Sequence, residues 1–353
     1  MAEKLPRPDL IIFDMDGTLI DVTCSYRETA PRAAARYLSL IGLTPPFLSG
    51  DVYDLFKRMT GFNDDWHLTD GLLQALLAGL PPASPMPDGP WPDQETLIET
   101  LRTAAAPLAG LMPPVPDWEA LIPQVRAAGG GLAGLRRVTR GQNAHLVWRT
   151  GDASTTDLVQ RIFAELYFGD ELFASYYGLP ARYHCGPGLI EREQLLTSRA
   201  TLEALSRFAR LGIATGRTRI EAAHALDVFD LRGLFGAVAT MDDALEAQAV
   251  AQGTPAAETS FLKPSPFLLQ RAADALDALS RPAEDGDSPP PRRAAYIGDA
   301  PDDILAARRA DGARPWLAIA VTTAANGAAL RQHYLDLGAD LVLDHPDQLA
   351  HLW

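Results

Sequence analysis

The sequence predicts an α/β fold: a parallel sheet covered by helices on both faces, with a second, mainly α-helical domain inserted into it. Short apolar runs at 10–13, 211–214 and 294–297 each end at polar or glycine residues, as buried parallel strands do. The segment 21–193, between the first two runs, is far longer than a connection within an α/β unit. We therefore expect 21–193 to form a domain of its own, and 1–20 with 194–353 to form the core.

The first apolar run ends in two aspartates, one residue apart, followed by a glycine. The run is too short for a helix, and Asp14 would lie at the carboxyl end of a strand, where open α/β sheets bind ligands. In an extended segment Asp14 and Asp16 point the same way, and Gly17 allows a sharp turn. One carboxylate can attack a phosphate while the other moves protons. An ordinary Asp-Gly turn is the alternative; a calcium loop is disfavoured because Gly17 is not at its sixth position.

The second run follows a predicted helix over about 193–210 and ends in Thr215 and Gly216, just before a helix that begins near Arg219. A hydroxyl and an exposed backbone N–H at this place would form a small anion cradle. A purely structural turn explains a Thr-Gly pair after a strand equally well.

A lysine stands just before the next predicted helix. Ser265 is expected as its N-cap and Pro266 as its first residue, so Lys263 lies just outside the helix N-terminus. A lone lysine is usually a solvated surface residue. Next to the aspartates, Lys263 would neutralise a phosphate and a nucleophilic carboxylate together.

The last chemical segment is a short strand that runs into Gly298 and Asp299, followed by a helix that Pro301 opens. The first turn of that helix carries Asp302 and Asp303, a placement that the helix dipole alone would favour. Asp299 precedes the helix at a strand end, so the dipole explains it less well.

Taken in this order, the four segments resemble the motifs of the haloacid dehalogenase superfamily of phosphohydrolases, in the branch whose cap domain follows the first motif. The resemblance implies a Rossmann-like three-layer core and a helical cap. It also implies that Asp14 is the nucleophile and Asp16 the general acid and base. Thr215 resembles the hydroxyl of the second motif, Lys263 the lysine of the third, and Asp299 with Asp303 the acidic fourth; the spacing of that motif favours Asp303 over its neighbour.

A magnesium ion suits these residues, because Mg²⁺ prefers oxygen ligands. We expect the carboxylates of Asp14 and Asp299 to bind it, and the resemblance adds the backbone carbonyl of Asp16. Gly216 and Arg217 are candidates for binding the phosphate, and Arg219 could attract an anionic substrate. For both arginines a solvent-exposed helix face is the alternative.

These residues predict a Mg²⁺-dependent phosphatase that acts on a small phosphorylated metabolite through an aspartyl-phosphate intermediate. Asp16 would protonate the leaving alcohol and then deprotonate the attacking water. A phosphomutase of the same branch keeps both aspartates and stays open, as does a binding or regulatory protein without turnover. A dehalogenase is disfavoured, because the resemblance implies that halide-displacing members lack an acid two residues after the nucleophile.

The composition indicates which binding partners and which cellular compartment to expect. The formal net charge of −14 over 353 residues disfavours nucleic acid and anionic membrane surfaces as partners. Two cysteines in so long a chain, Cys24 and Cys185, indicate a reducing compartment. The first residues are polar and the apolar run after them is too short for a signal peptide or a membrane span, so a cytoplasmic enzyme is expected. The oligomeric state stays open.

Helices are predicted in the inserted domain at 26–40, 68–80, 94–105 and 118–128. The proline-rich stretch 81–92 predicts a loop, and the glycines at 129–131 predict a flexible joint. Residues 81–150 therefore look like an insertion within the cap. The stretches 59–66 and 188–193 also resemble a poorly characterised bacterial and archaeal subgroup of this branch.

Substrate choice is expected to reside in the cap, at polar or aromatic positions that packing would explain equally well. These positions are Phe62, Asn63, Asp65, Trp66, Arg182 and His184.

The rest of the core should supply further strands at 237–240, 317–321 and 340–343. The charged and proline-rich segment 281–293 predicts a disordered connection. The resemblance implies that the strands ending at Asp14 and Asp299 are neighbours at the switch point of the sheet.

Overall fold

The computed structural model describes residues 5–57, 61–62, 64–253, 260–279, 292–312, 314–322 and 327–353. The chain forms two compact units, Val22–Glu193 and Met1–Asp21 together with Gln194–Trp353. We call them the helical unit and the α/β unit. Asp21 falls in the α/β unit, one residue from the boundary expected from the sequence, because it pairs with Gln194 in a two-stranded ribbon.

Seven α-helices lie in the described part of the helical unit: α1 Tyr26–Leu40, α2 Asp51–Lys57, α3 Asp65–Leu77, α4 Gln94–Ala105, α5 Trp118–Ala127, α6 Gly131–Thr139 and α7 Leu158–Tyr177. The predictions at 26–40, 94–105 and 118–128 are confirmed. Helix α3 begins earlier than predicted, because the Asp64 carboxylate accepts the Trp66 backbone N–H at 2.7 Å and caps the helix there. The stretch 81–92 forms no helix or strand, as expected.

The segment 81–150 packs into the main core of the helical unit. Leu97, Leu101, Val125 and Leu135 are fully buried in the same apolar cluster as the α1 side chain Tyr37. The glycines predicted as a flexible joint instead form the entry to α6, which begins at Gly131. Residues 81–150 therefore share the core of the helical unit, because the apolar faces of α4, α5 and α6 pack into it.

The chain leaves the helical unit through a tightly held stretch at 188–193. Gly188 lies against the kink of α7 at Gly169. A Cβ added to Gly188 would lie 2.4 Å from the Phe168 carbonyl oxygen. The Glu193 carboxylate then accepts hydrogen bonds from the hydroxyls of Ser25 and Tyr167, both at 2.8 Å. The close approach of the backbone explains the glycine at position 188, and the two hydrogen bonds explain the glutamate at position 193.

The α/β unit contains, in its described residues, the strands β1 Leu10–Phe13, β2 Ile20–Asp21, β3 Gln194–Leu195, β4 Arg210–Ala214, β5 Phe235–Ala239, β6 Ala294–Gly298, β7 Trp316–Val321 and β8 Leu341–Leu343. Its helices are α8 Arg199–Ser206, α9 Arg219–Val228, α10 Met241–Val250, α11 Phe267–Ala278, α12 Pro301–Ala310 and α13 Gly327–Asp336. The six longer strands form a parallel sheet in the order β5-β4-β1-β6-β7-β8. All the strands predicted for the core are present.

Strand β1 lies at the centre of the sheet and is buried on both faces. All four of its residues are inaccessible to solvent; Leu10 and Ile12 belong to the apolar cluster beneath α11 and α12, and Ile11 and Phe13 lie on the opposite face. β1 pairs with β4 on one side and β6 on the other, so the predicted adjacency of the strands ending at Asp14 and Asp299 is confirmed. The chain order reverses here, which makes this the switch point of the sheet.

Two helices of the α/β unit have boundaries that differ from the predicted ones. The helix expected over about 193–210 spans only Arg199–Ser206, because Gln194 pairs with β2 and Ser198 caps the helix. Helix α11 begins one residue later than expected, with Pro266 rather than Ser265 at the N-cap.

The segment predicted as a disordered connection lies outside the described residues from 281 to 291. Within the described ranges, no helix combines the length and apolar character needed to cross a bilayer.

Candidate active site

Polar side chains gather at the carboxyl ends of three adjacent strands. Asp14 follows β1, Thr215 follows β4 and Asp299 follows β6. The Asp14 backbone N–H donates to the Ile297 carbonyl at 2.8 Å, which extends the β1–β6 ladder to the functional residue itself. Parallel pairing thus brings together residues that are far apart in the chain.

Three carboxylates form the centre of the site. One oxygen from each of Asp14, Asp299 and Asp303 lies within 4.8 Å of the others, close enough for one cation to bind all three. Such an oxygen-only set fits Mg²⁺. Asp303 thus joins the two carboxylates predicted as ligands, Asp14 and Asp299. Asp16 is predicted to bind through its backbone carbonyl, and its carboxylate contacts another partner.

Burial and crowding disturb the protonation of this cluster. Burial raises the pKa of Asp14 to about 7; Lys263 lowers it, and the neighbouring Asp303 and Asp16 carboxylates raise it. Burial also raises the pKa of Asp299, and Asp303 and Asp14 add to the effect. The cluster therefore favours a bound cation, which would relieve the repulsion among its carboxylates.

Lys263 supplies one positive charge to the cluster. Its Nζ lies 2.8 Å from Asp14 Oδ1 and 2.8 Å from Asp303 Oδ1, and its side chain is only 11% exposed. Burial opposes the charge, but the two carboxylates outweigh burial and raise the pKa of Lys263. Lys263 thus stays an ammonium group, placed between the candidate nucleophile and the fourth-motif acid.

Asp303, in the first turn of α12, contacts the cluster directly. It is fully buried, contacts Lys263, and accepts the Ala300 backbone N–H at 3.0 Å. Asp302 is partly exposed.

Two glycines are required beside the acidic residues because a side chain would occupy the same space. A Cβ on Gly298 would lie 2.3 Å from an Asp303 oxygen. Gly17 has φ +67, and a Cβ there would lie 2.0 Å from an Asp299 oxygen. Both glycines allow the carboxylates to approach the backbone.

The turn after β4 places a buried arginine against Asp16. Arg217 Nε donates to Asp16 Oδ1 at 2.6 Å, and the Arg217 side chain is fully buried. The exposed-face alternative is therefore wrong for Arg217. It is right for Arg219, whose side chain is 57% exposed and pairs with Glu246.

Thr215 and Gly216 lie where the anion cradle was expected. Thr215 is fully buried, and its hydroxyl oxygen accepts the Arg217 backbone N–H at 3.1 Å, which leaves its O–H free to be aimed elsewhere. Gly216 is exposed, and nothing lies within 4 Å of where its Cβ would be. The space beside Gly216 is open to a ligand.

Tyr296 in β6 is a site residue that the sequence pattern did not indicate. Its hydroxyl lies 2.9 Å from the Ala214 carbonyl oxygen and 3.1 Å from Asp303 Oδ1, so it links the end of β4 to the acidic cluster. One hydroxyl within an otherwise apolar strand was the available signal, since a buried tyrosine needs a hydrogen-bond partner.

The candidate specificity residues of the helical unit that are described make contacts within that unit. Phe62 is buried, with its ring centroid 5.2 Å from that of Phe56. Asp65 pairs with Lys57 at 2.8 Å. Asn63 lies outside the described residues. Trp66 packs at the edge of the apolar core, which is the structural alternative considered for it.

The loop that carries Arg182 and His184 is held by a buried carboxylate. Glu165 accepts the backbone N–H groups of Arg182 at 2.8 Å and His184 at 3.1 Å, and pairs with the buried Arg161. The Arg182 side chain points outward and pairs with Glu95 at 3.2 Å.

The chain matches a known protein family. A family model described as haloacid dehalogenase-like hydrolase matches residues 8–311, which include all four motifs. The chain belongs to this family. No curated protein matches this hydrolase significantly.

Several solved structures are similar to this haloacid dehalogenase-like hydrolase. An X-ray structure of a Northeast Structural Genomics Consortium target is 17% identical over 98% of each chain, with a TM-score of 0.60. Phosphatase Tt82 from Thermococcus thioreducens is 21% identical over 87% of this chain and 91% of its own, with a TM-score of 0.48. A putative haloacid dehalogenase-like hydrolase from Bacteroides fragilis is 15% identical over 97% and 99%, with a TM-score of 0.44.

Proposed function

We propose that this hydrolase is a Mg²⁺-dependent phosphatase that hydrolyses a small phosphorylated metabolite through an aspartyl phosphate on Asp14. The observation that carries the proposal is the ammonium group of Lys263, 2.8 Å from Asp14 Oδ1, within a cluster of three carboxylates. An ammonium group beside a strand-end carboxylate, with oxygen ligands for a divalent cation, matches what phosphoryl transfer needs: an in-line nucleophile and neutralised charge.

The carboxylates of Asp14 and Asp299 would hold Mg²⁺, with Asp303 beside them and the Asp16 carbonyl implied by the family. The bound ion would neutralise phosphate oxygens and favour the ionised form of Asp14.

Asp14 acts as nucleophile in the first step. A carboxylate oxygen of Asp14 forms a bond to phosphorus while the bond from phosphorus to the ester oxygen breaks, and Asp16 gives a proton to that oxygen to release an alcohol. Lys263 stabilises the Asp14 carboxylate before attack and the transferring phosphoryl group afterwards.

Water completes the reaction in the second step. Asp16 takes a proton from the water as its oxygen bonds to phosphorus, and the bond between Asp14 and phosphorus breaks to give inorganic phosphate. The hydroxyl of Thr215 and the backbone N–H of Gly216 would bind phosphate oxygens at the open end of β4. The difficult hydrolysis of a phosphate ester is thereby split into two easier displacements at phosphorus.

The two cysteines, Cys24 and Cys185, are free and exposed, which suits a reducing compartment, and we propose a cytoplasmic location.

Phosphate release from a panel of phosphorylated metabolites, with and without Mg²⁺, tests the function. We expect release by the native chain to require Mg²⁺, and Asp14→Asn to abolish it. Asp302→Asn, which changes the partly exposed neighbour of Asp303, is the matched control and should retain activity.

Two results would contradict the proposal. Transfer of phosphate between positions of a sugar phosphate, without net release, would indicate a phosphomutase. Tight binding of Mg²⁺ and beryllium fluoride at Asp14, with no turnover of any ester, would indicate a binding protein.

A further inference from the structure

We propose that Arg217 is a positioning residue: it acts through Asp16, by holding one carboxylate oxygen so that the other is correctly oriented for proton transfer. This inference rests on the proposed function. It replaces direct phosphate binding, the role expected for Arg217 from the sequence.

The contact between Arg217 and Asp16 is short, and the two side chains differ in burial. Arg217 Nε lies 2.6 Å from Asp16 Oδ1; the Arg217 side chain is fully buried, whereas the Asp16 side chain is 32% exposed. A buried guanidinium is costly unless it is paired, so the arginine is held in place by its surroundings and the carboxylate is held by the arginine.

The backbone of Arg217 is fixed on both sides. Its N–H donates to the Thr215 hydroxyl at 3.1 Å, and its carbonyl accepts the Met241 backbone N–H at 2.9 Å. Directly after it, Thr218 and Glu221 form a reciprocal capping box that fixes the start of α9. The guanidinium therefore has a defined position relative to the ends of β4 and α10.

The consequence concerns the orientation of Asp16. An unrestrained aspartate on a turn samples several side-chain rotamers, and proton transfer requires hydrogen-bond reach in a defined direction. With Oδ1 bound to Arg217, Oδ2 is the oxygen left for the ester oxygen in the first step and for water in the second. Arg217 itself makes no bond and moves no proton in either step.

This role predicts a dependence on the leaving group. In the first step an alkyl ester oxygen must receive a proton as its bond to phosphorus breaks, whereas 4-nitrophenolate leaves as a stable anion without one. The ratio kcat/KM reports steps up to release of the alcohol, so it isolates this proton transfer from the later attack by water. A residue that binds phosphate, in contrast, affects both esters alike.

The experiment compares Arg217→Met and Arg217→Lys with Arg219→Met, the solvent-exposed arginine of the same turn. For Arg217→Met we expect kcat/KM to fall about 100-fold with an alkyl phosphate and by less than about threefold with 4-nitrophenyl phosphate, since general acid catalysis contributes about 10²–10⁴-fold. Arg217→Lys should show the same split, reduced to about tenfold, and keeps the test valid if Arg217→Met fails to fold. Arg219→Met should leave both ratios unchanged.

A second pair of measurements separates positioning from other roles. In an Asp16→Asn background, Arg217→Met should cause no further loss with the alkyl ester, because the two residues act as one unit. The affinity for beryllium fluoride in the presence of Mg²⁺, measured by calorimetry, should be the same in Arg217→Lys as in the native chain.

Equal losses with both esters, weaker binding of beryllium fluoride, or additive losses in the double variant would overturn the inference and return Arg217 to phosphate binding. If the native chain releases alcohol from neither ester, the proposed function itself fails, and the inference falls with it.

Discussion

The two units of this hydrolase bury carboxylates in opposite ways. In the helical unit, the fully buried Glu165 is matched by donors: the backbone N–H groups of the loop at 182–184 and the guanidinium of Arg161. In the α/β unit, Asp14 and Asp303 share the single ammonium of Lys263, and Asp299 crowds against them. Burial alone therefore does not mark a functional site; the balance between buried charges and their partners does.

The difference has a physical basis. A buried charge that is fully hydrogen-bonded fixes a unique local structure, whereas like charges held together reduce the stability of the fold. Crowded carboxylates persist where chemistry needs them, and perturbed pKa values accordingly concentrate at functional sites. In the helical unit Glu165 holds a loop, and the α/β unit contains a carboxylate set that fits a cation and a phosphate.

The largest effect is expected from Asp14→Asn, which removes the nucleophile and one of the crowded charges. Activity should fall by about 10⁴-fold or more, because the covalent step is lost. Without Mg²⁺, the thermal unfolding midpoint should stay the same or rise, since repulsion within the cluster decreases. Calorimetry and phosphate release on the same samples test both parts; a large fall in the midpoint would mean that Asp14 stabilises the fold.

Glu165→Gln should show the reverse pattern. The variant loses the charge that pairs with the buried Arg161, and we expect the free energy of unfolding to fall by about 3 kcal/mol. Glu171→Gln, an exposed position on the same helix, is the control and should change it by less than about 0.5 kcal/mol. Denaturant titration measures both. Equal stability of Glu165→Gln and Glu171→Gln would contradict the role of Glu165 in holding the loop.

Mg²⁺ should stabilise the native chain against unfolding. At a concentration of about 100 times Kd, binding to the folded state alone contributes about 2.7 kcal/mol. Asp299→Asn should lose most of this stabilisation because a ligand is removed, and Asp302→Asn should keep it. Equal stabilisation of all three proteins would place the ion elsewhere.

The smallest effect concerns Glu221, whose pKa is raised by burial from 4.5 to about 7. Between these values the folded chain keeps a proton that the unfolded chain has released, so the free energy of unfolding falls as the pH rises from about 4.5 to 7. In Glu221→Gln the fall between these pH values should be smaller by about 2.5 kcal/mol, because most of the shift, at roughly 1.4 kcal/mol per pKa unit, is lost within this range. The exposed Glu203→Gln is the control, and identical pH profiles for all three proteins would contradict the expectation.

The sequence was sufficient for the parts of the site that local pattern determines. Strand ends follow from apolar runs closed by polar residues, so the positions of Asp14, Thr215 and Asp299 were predicted, and parallel pairing then brings them together. The order of the motifs identified Lys263 in the same way. In the structure Lys263 contacts both Asp14 and Asp303, which are far from it in the chain.

What the sequence did not reveal depends on tertiary packing. The packing of the turn after β4 against α10 determines whether Arg217 faces solvent or Asp16. A local sequence pattern does not contain this information. Tyr296 reads as one more apolar strand residue until its hydroxyl is seen against Asp303. Likewise, the predicted helix before β4 was too long because a distant strand, β2, pairs with its first residues.

The most direct test of the account is chemical trapping of the covalent intermediate. The native chain would be mixed with Mg²⁺ and a hydrolysable phosphate ester, quenched, reduced with borohydride and digested for mass spectrometry. An aspartyl phosphate is reduced to homoserine, so homoserine at position 14, dependent on both Mg²⁺ and ester, is the predicted result. Turnover without this conversion, or with the conversion at another aspartate, would contradict the assignment of Asp14 as nucleophile.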